Sequence, residues 1–211
     1  MNARDRILQA VRGHLGRTDG AAAPPPPPVP LLGRVDLDAG EKLKQFGERL
    51  VAVGGHLHIG MQDGGLTVVR ELLARYAPLT IARSDAPTVT ALCEHDSLRQ
   101  HGWLSPAASK AELFAADLGI TAAQWAIAET GTLVLDMQQE RHRFASLLPP
   151  VHIALLPHAR LLANLGEALK TLPRPLPPTV TFVTGPSRTA DIELQLVVGV
   201  HGPRELHVVV I

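Results

Sequence analysis

Apolar residues recur at three- and four-residue intervals at the start of the chain. Ile7, Leu8, Val11 and Leu15 fall on one side of a helix over residues 2–16, and Asn2 is placed to cap its first turn. The pattern then stops. Ala21–Ala23 lead into five consecutive prolines, Pro24–Pro28, which offer no backbone N–H and favour an extended conformation. Residues 18–36 are therefore expected to form a semi-rigid arm. A Pro-rich arm can also serve as a ligand for an SH3-like module, but no basic residues flank this run tightly. The chain divides into residues 1–36, a helix and arm, and residues 37–211, a core expected to fold without them.

Helical spacing resumes at Asp38. Asp38 and Glu41 have capping-box spacing, Leu43, Phe46, Leu50 and Val53 form one apolar face, and Gly54-Gly55 ends the helix. His56–Ile59 alternates as a short strand, residues 68–76 read as a helix, 79–82 as a strand and 88–94 as a helix. Residues 121–129 alternate small and large side chains, with Ala123, Trp125 and Ile127 on one face. Thr130-Gly131 interrupts them and Thr132–Leu135 follows, the pattern of a β-hairpin. Val151–Leu156 is an apolar strand, Leu161, Leu162, Leu165 and Leu169 mark a helix, and Val180–Val183 and Leu206–Ile211 are further strands. Strands alternating with helices predict an α/β fold with a largely parallel sheet and an added hairpin.

Composition narrows the function classes. The 211 residues are 45% hydrophobic but only 3% aromatic, so aliphatic side chains must fill the core. Basic and acidic residues balance at 20 each, leaving no general field to gather a phosphate backbone, and nucleic acid is not an expected partner. No apolar run approaches the roughly 20 residues of a membrane span, and residues 1–17 lack a secretory core, so a cytoplasmic location is expected. The single cysteine, Cys93, cannot hold an iron–sulfur cluster, which normally takes four ligands. Its Ala-Leu-Cys setting reads as packing.

Four segments carry candidate chemistry. In residues 184–191, Gly185 permits a tight turn, Ser187 and Thr189 can cap a following helix, Arg188 offers a planar fork to a carboxylate or phosphate, and Asp191 can orient it. The same residues also fit a capped turn whose arginine pairs with a neighbouring acid. Glu129, at the hairpin tip, is placed as a nucleophile or general base, or as a solvated turn acid. His201, in the Gly199–Pro203 loop, is an acid–base or substrate-binding candidate, or a turn residue. Arg141, His142 and Arg143 would welcome an anion, or form an ordinary solvated run. His56 and His58 share a strand face, but no third ligand is identifiable, so no metal site is expected.

Together these segments resemble the LUD-domain family. The likeness rests on Gly119-Ile120-Thr121, Ala126–Thr132, Leu148–Ile153, Gly185–Glu193 and Gly199–Pro203, in order and spacing, and spans about residues 38–211, with the amino-terminal helix also fitting. The resemblance implies a Rossmann-like sheet similar to the NagB/RpiA/CoA-transferase superfamily. It also implies a part in oxidising L-lactate to pyruvate, beside two iron–sulfur proteins. Relatives that carry clusters have cysteine-rich segments absent here, so this chain resembles the cluster-free member. Its expected task is to bind a small carboxylate or phosphate in a cleft lined by Glu129, Ser187, Arg188 and Thr189, through a cofactor not identifiable from sequence if one is used. The alternative is an autonomous CoA-transferase-like or phospho-ligand enzyme using Glu129, with Thr130 where the transferases carry Asn. A third reading is a scaffold whose motifs only shape turns.

Overall fold

The computed structural model describes residues 2–16, 36–60, 64–140, 143–192, 195–198 and 202–211. The expected proline-rich arm lies outside them. The chain forms two compact units, Met1–Leu31 and Leu32–Ile211. In the first, helix α1 (Ala3–His14) is capped as expected: the Asn2 side chain accepts from the Asp5 N–H at 2.9 Å.

The second unit opens with α2 (Ala39–Ala52). Its capping box is complete, with Asp38 accepting from the Glu41 amide and Glu41 from the Asp38 amide. Strand β1 (His56–Ile59), α3 (Gly64–Tyr76), β2 (Ile81–Arg83), α4 (Pro87–Glu94) and α5 (Lys110–Phe114) follow. Helix α5, capped by Ser109 and Glu112, was not foreseen. Then come β3 (Leu118–Ala122), β4 (Trp125–Ile127), β5 (Thr132–Asp136), α6 (Met137–Glu140), α7 (Phe144–Leu147), β6 (Val151–Leu156), β7 (Leu161–Leu162) and α8 (Leu165–Thr171). Strands β8 (Val180–Val183), β9 (Arg188–Ile192), β10 (Gln195–Val198) and β11 (Glu205–Val210) complete the chain.

The main sheet has the order β1-β11-β6-β3-β2, and every pairing in it is parallel. One face packs Ile120, Ile153 and Val209 against Val69 and Leu73 of α3 and Val89 of α4. The other packs Ala154, Leu206 and Val208 against Phe46 and Leu50 of α2 and against Leu133 and Leu135 of a second sheet. That sheet runs β7-β4-β5-β8, and its far side, with Trp125 and Val134, is covered by Ala168 and Leu172.

The hairpin β4–β5 is antiparallel as expected, with Trp125 opposite Val134 and Ile127 opposite Thr132. Its place differs from expectation. It is not added to the parallel sheet; the apolar stretch 121–129 is two strands, one in each sheet. The crossing is made at Ala123, whose amide donates to Leu155 of the main sheet, and Gln124, whose amide donates to Val134 of the second. Leu161 and Leu162, read as helix, form strand β7, pairing in parallel with Ala126 and Ile127 of β4.

A buried carboxyl fastens this crossing. Glu140 is fully buried; its Oε1 accepts from Gln124 Nε2 at 3.0 Å and from the Ala122 amide at 3.3 Å, while Gln124 Oε1 accepts from the Asp136 amide. Burial pushes the Glu140 pKa up to about 7 against the opposing hydrogen bonds. The folded protein therefore keeps a proton that the unfolded chain loses near its ordinary value of 4.5. Stability should fall as pH rises from there through about 7, and no further above it. Glu140→Gln, a neutral isostere able to accept the same two bonds, should escape this loss. Thermal denaturation should show its advantage over wild type widening from pH 5 to pH 8 by roughly 3 kcal/mol, at about 1.4 kcal/mol per pKa unit; parallel pH profiles would show that Glu140 is not buried as a neutral acid.

Candidate functional site

The carboxyl-terminal turn of α2 gathers two of the segments singled out in the sequence. A helix end leaves carbonyls without intrahelical partners. Here the Gly55 amide satisfies Leu50 and the Gly54 amide satisfies Val51. The Val53 carbonyl accepts from Arg188 Nη2 at 2.6 Å. Gly131, in the hairpin turn, has φ +67°, and an added Cβ would lie 2.5 Å from the Leu50 nitrogen. Gly185 has φ +79°, and its Cβ would lie 2.8 Å from the Val53 oxygen. Both positions need the left-handed backbone and the missing side chain that only glycine supplies without strain. The two segments are also joined directly: the hydroxyls of Thr130 and Thr132 lie 2.7 Å apart, and those of Thr132 and Thr184 2.8 Å apart.

This corrects the expected helix start at residues 187–189. Arg188–Ile192 is strand β9, paired antiparallel with β10. A strand uses its amides in the ladder and has no helix dipole, so the anion-binding helix terminus is not formed. Arg188 is held by a backbone carbonyl, closer to the structural reading than to the ligand-binding one, with a carbonyl in place of the acid. Thr189 and Asp191 lie in β9, their side chains outside what is described. His201, Arg141 and His142 lie outside the described residues, and Arg143 is exposed just before α7. Glu129 is exposed at the hairpin tip, where its carboxylate accepts from the Leu165 amide, at the start of α8, at 3.4 Å.

Gly185 and Ser187 do line a cavity. It measures about 200 Å³ and lies between β8, the start of β6 and β11, and α7; its polar wall includes Ser146, His152, Thr181, Thr184 and Ser187. The Ser187 amide donates to the Pro203 carbonyl, and a Cβ on Gly202 would lie 3.3 Å from that of Ser187. Gly202 and Pro203 thus return to the same wall. Three of the sequence segments, around residues 146–152, 184–187 and 202–206, converge here. Glu129 and Arg188 do not line it.

His152 was not singled out by sequence as a site residue, although it stands in the Leu148–Ile153 segment. It is fully buried, with Nε2 2.8 Å from the Thr121 hydroxyl and Nδ1 without a partner among the described residues. Burial holds its pKa down to about 3, so the imidazole is neutral at pH 7. A neutral imidazole donates from one nitrogen and accepts at the other. Its open nitrogen can therefore serve a hydroxyl or a carbonyl ligand, according to which tautomer the Thr121 contact selects. A second cavity, about 240 Å³, opens at the carboxyl ends of β2, β3 and β6, between Pro87, Gln124 and Arg160.

The LUD domain model matches residues 98–211, which contain strands β3 to β11. The chain is 30% identical to lactate utilization protein C of Shouchella clausii over 95% of its own length and 93% of that protein's. It is 46% identical to lactate utilization protein C 1 of Bacillus mycoides over 42% of this chain and 41% of that one. With lactate utilization protein C of an Exiguobacterium species it shares 38% identity over 64% and 62%. These last two alignments span less than two thirds of the relatives' length. A crystal structure of a DUF162 family protein from Deinococcus radiodurans superposes with a TM-score of 0.63 and 27% identity, covering 82% of this chain and 98% of that one. Residues 98–211 and the near full-length alignment with the Shouchella protein place this chain in the LUD-domain family.

Proposed function

We propose that this chain is a cluster-free component of a lactate-utilization system that binds a small carboxylate, lactate or pyruvate, in the cavity walled by His152 and Ser187. The pathway rests on one observation, the alignment over nearly the whole of both chains with a protein named for lactate utilization. The ligand class rests on the cavity. At about 200 Å³ it is below the range of drug-sized pockets and suits a three-carbon acid. Thr181 and Ser187 bring hydroxyls to the wall that can meet a carboxylate, while the Ser146 hydroxyl donates to the Arg143 carbonyl. The unpartnered His152 Nδ1 can accept from the hydroxyl of lactate or, in the other tautomer, donate to the keto oxygen of pyruvate. A carboxylate leaving water needs compensating charge. Arg204, next to Pro203, Arg188, next to Ser187 and held at Val53, and Arg143, three residues before Ser146, are the arginines nearest in sequence to the lining.

Cys93 is buried and its thiol is pushed up to about 11 by that burial, a packing residue in chemistry. With one cysteine in the chain, electron transfer belongs to other members of the system, which the family resemblance makes two iron–sulfur proteins. The test is calorimetric titration with L-lactate, pyruvate and phosphate. Wild type should bind a three-carbon acid, and Ser187→Ala should weaken it about three- to tenfold, the worth of one neutral hydrogen bond. Arg188→Ala should lower the melting temperature, through loss of its bond to Val53, while leaving affinity near wild type. Unchanged binding in Ser187→Ala, or binding lost selectively in a folded Arg188→Ala, would contradict this reading.

A further inference from the structure

The parallel pairing of β1 with β11 sets His56 opposite His207. That register helps bring three histidines, a carboxylate and a phenol together at the amino end of the sheet, in a cluster that shares no residue with the lining of the cavity just described. His207 is fully buried, Glu205 half-buried and His56 exposed. The His56 and His207 rings stack with centroids 4.7 Å apart. His207 Nε2 lies 3.5 Å from Glu205 Oε2 and 2.7 Å from the Tyr76 hydroxyl, which itself donates to Glu205. His207 Nδ1 lies 3.0 Å from His58 Nε2.

We propose that His56, Glu205 and His207 form a binding site for a divalent cation of the zinc class. One ligand atom from each lies within 4.8 Å of the others, a triangle that an ion with bonds of about 2.0–2.2 Å can draw together. Two imidazoles and one carboxylate form a donor set that zinc takes where a coordination position stays open, whereas calcium and magnesium prefer all-oxygen sets. The open position faces solvent beside exposed His56, which also provides the entry path. One further contact fits a ligand role for His207. His58 receives the other ring nitrogen, the outer contact that fixes the tautomer of a metal-bound histidine. Tyr76 keeps its bond to Glu205 and orients that carboxylate. The site is independent of the lactate reading, since it shares no residue with the His152 cavity.

The test is titration of chelator-treated full-length protein with zinc chloride, by calorimetry and by melting temperature, with cobalt as a spectroscopic substitute. Wild type should take up one zinc per chain, melt higher with it, and give the visible bands of low-coordinate cobalt. His56→Ala changes an exposed side chain and should fold normally; it should lose the bands and bind zinc at least tenfold more weakly. Glu205→Gln should do the same. His58→Phe removes only the outer contact, and should cost about ten- to a hundredfold in affinity. His95→Ala, an exposed histidine outside the cluster, should titrate like wild type. Failure of wild type to bind zinc, or zinc binding in folded His56→Ala equal to wild type, would overturn the site and leave a hydrogen-bonded network among these side chains. Neither outcome bears on lactate binding, which is read in a separate titration.

Discussion

The last turn of α2 is the constraint on which the arrangement of the site depends. Its last carbonyls have no partners within the helix and must take them from water or from other parts of the chain. The chain resolves this with Gly54 and Gly55 locally and with Arg188, 135 residues away, at Val53. Two glycines, at positions 131 and 185, then let the hairpin turn and the β8 exit approach the helix backbone more closely than any side chain would allow. The Thr130–Thr132–Thr184 hydroxyl chain ties these two turns to each other. Once β8 is anchored there, Gly185 and Ser187 must pass over the start of β6, and the cavity with His152 on its floor follows from that path.

The same view separates two kinds of residue within one motif. In Thr184–Arg188, Arg188 turns outward to the helix end and serves the fold, while Ser187 faces the cavity. Glu129 and Thr130 are likewise next to each other yet divided: the carboxylate receives the first amide of α8, and the hydroxyl joins the threonine chain. One short string is thus a structural joint at Arg188 and a cavity wall at Ser187, and only the direction of each side chain tells which.

Much of the frame was legible because it rests on local chemistry. Asp38 with Glu41 announces α2, Gly54-Gly55 its end, and Thr130-Gly131 the hairpin turn. What was not legible depends on pairing across the chain. Residues 121–129 read as one strand because small and large side chains alternate through them; the crossing between sheets at Ala123 and Gln124 is visible only once Leu155 and Val134 claim their amides. Ser187 and Thr189 are good helix caps by type, but the β9–β10 pairing overrides that preference. The contacts of His56 and His58 were not legible because His207 meets them through the β1–β11 register, 149 residues distant from His58. His152 went unnoticed for the opposite reason: it sits within an apolar strand, where a histidine looks like packing.

On the proposed function, a three-carbon acid enters the cavity and meets the His152 nitrogen that has no partner among the described residues. The most direct measurement is the nitrogen-15 spectrum of the His152 imidazole, assigned by comparison with His152→Gln and recorded during titration with L-lactate and pyruvate at pH 7. The account predicts a neutral ring whose Nδ1 resonance shifts saturably with ligand, while Nε2, held by Thr121, shifts much less. An Nδ1 signal that stays unmoved while calorimetry reports binding would place the ligand elsewhere and contradict the claim.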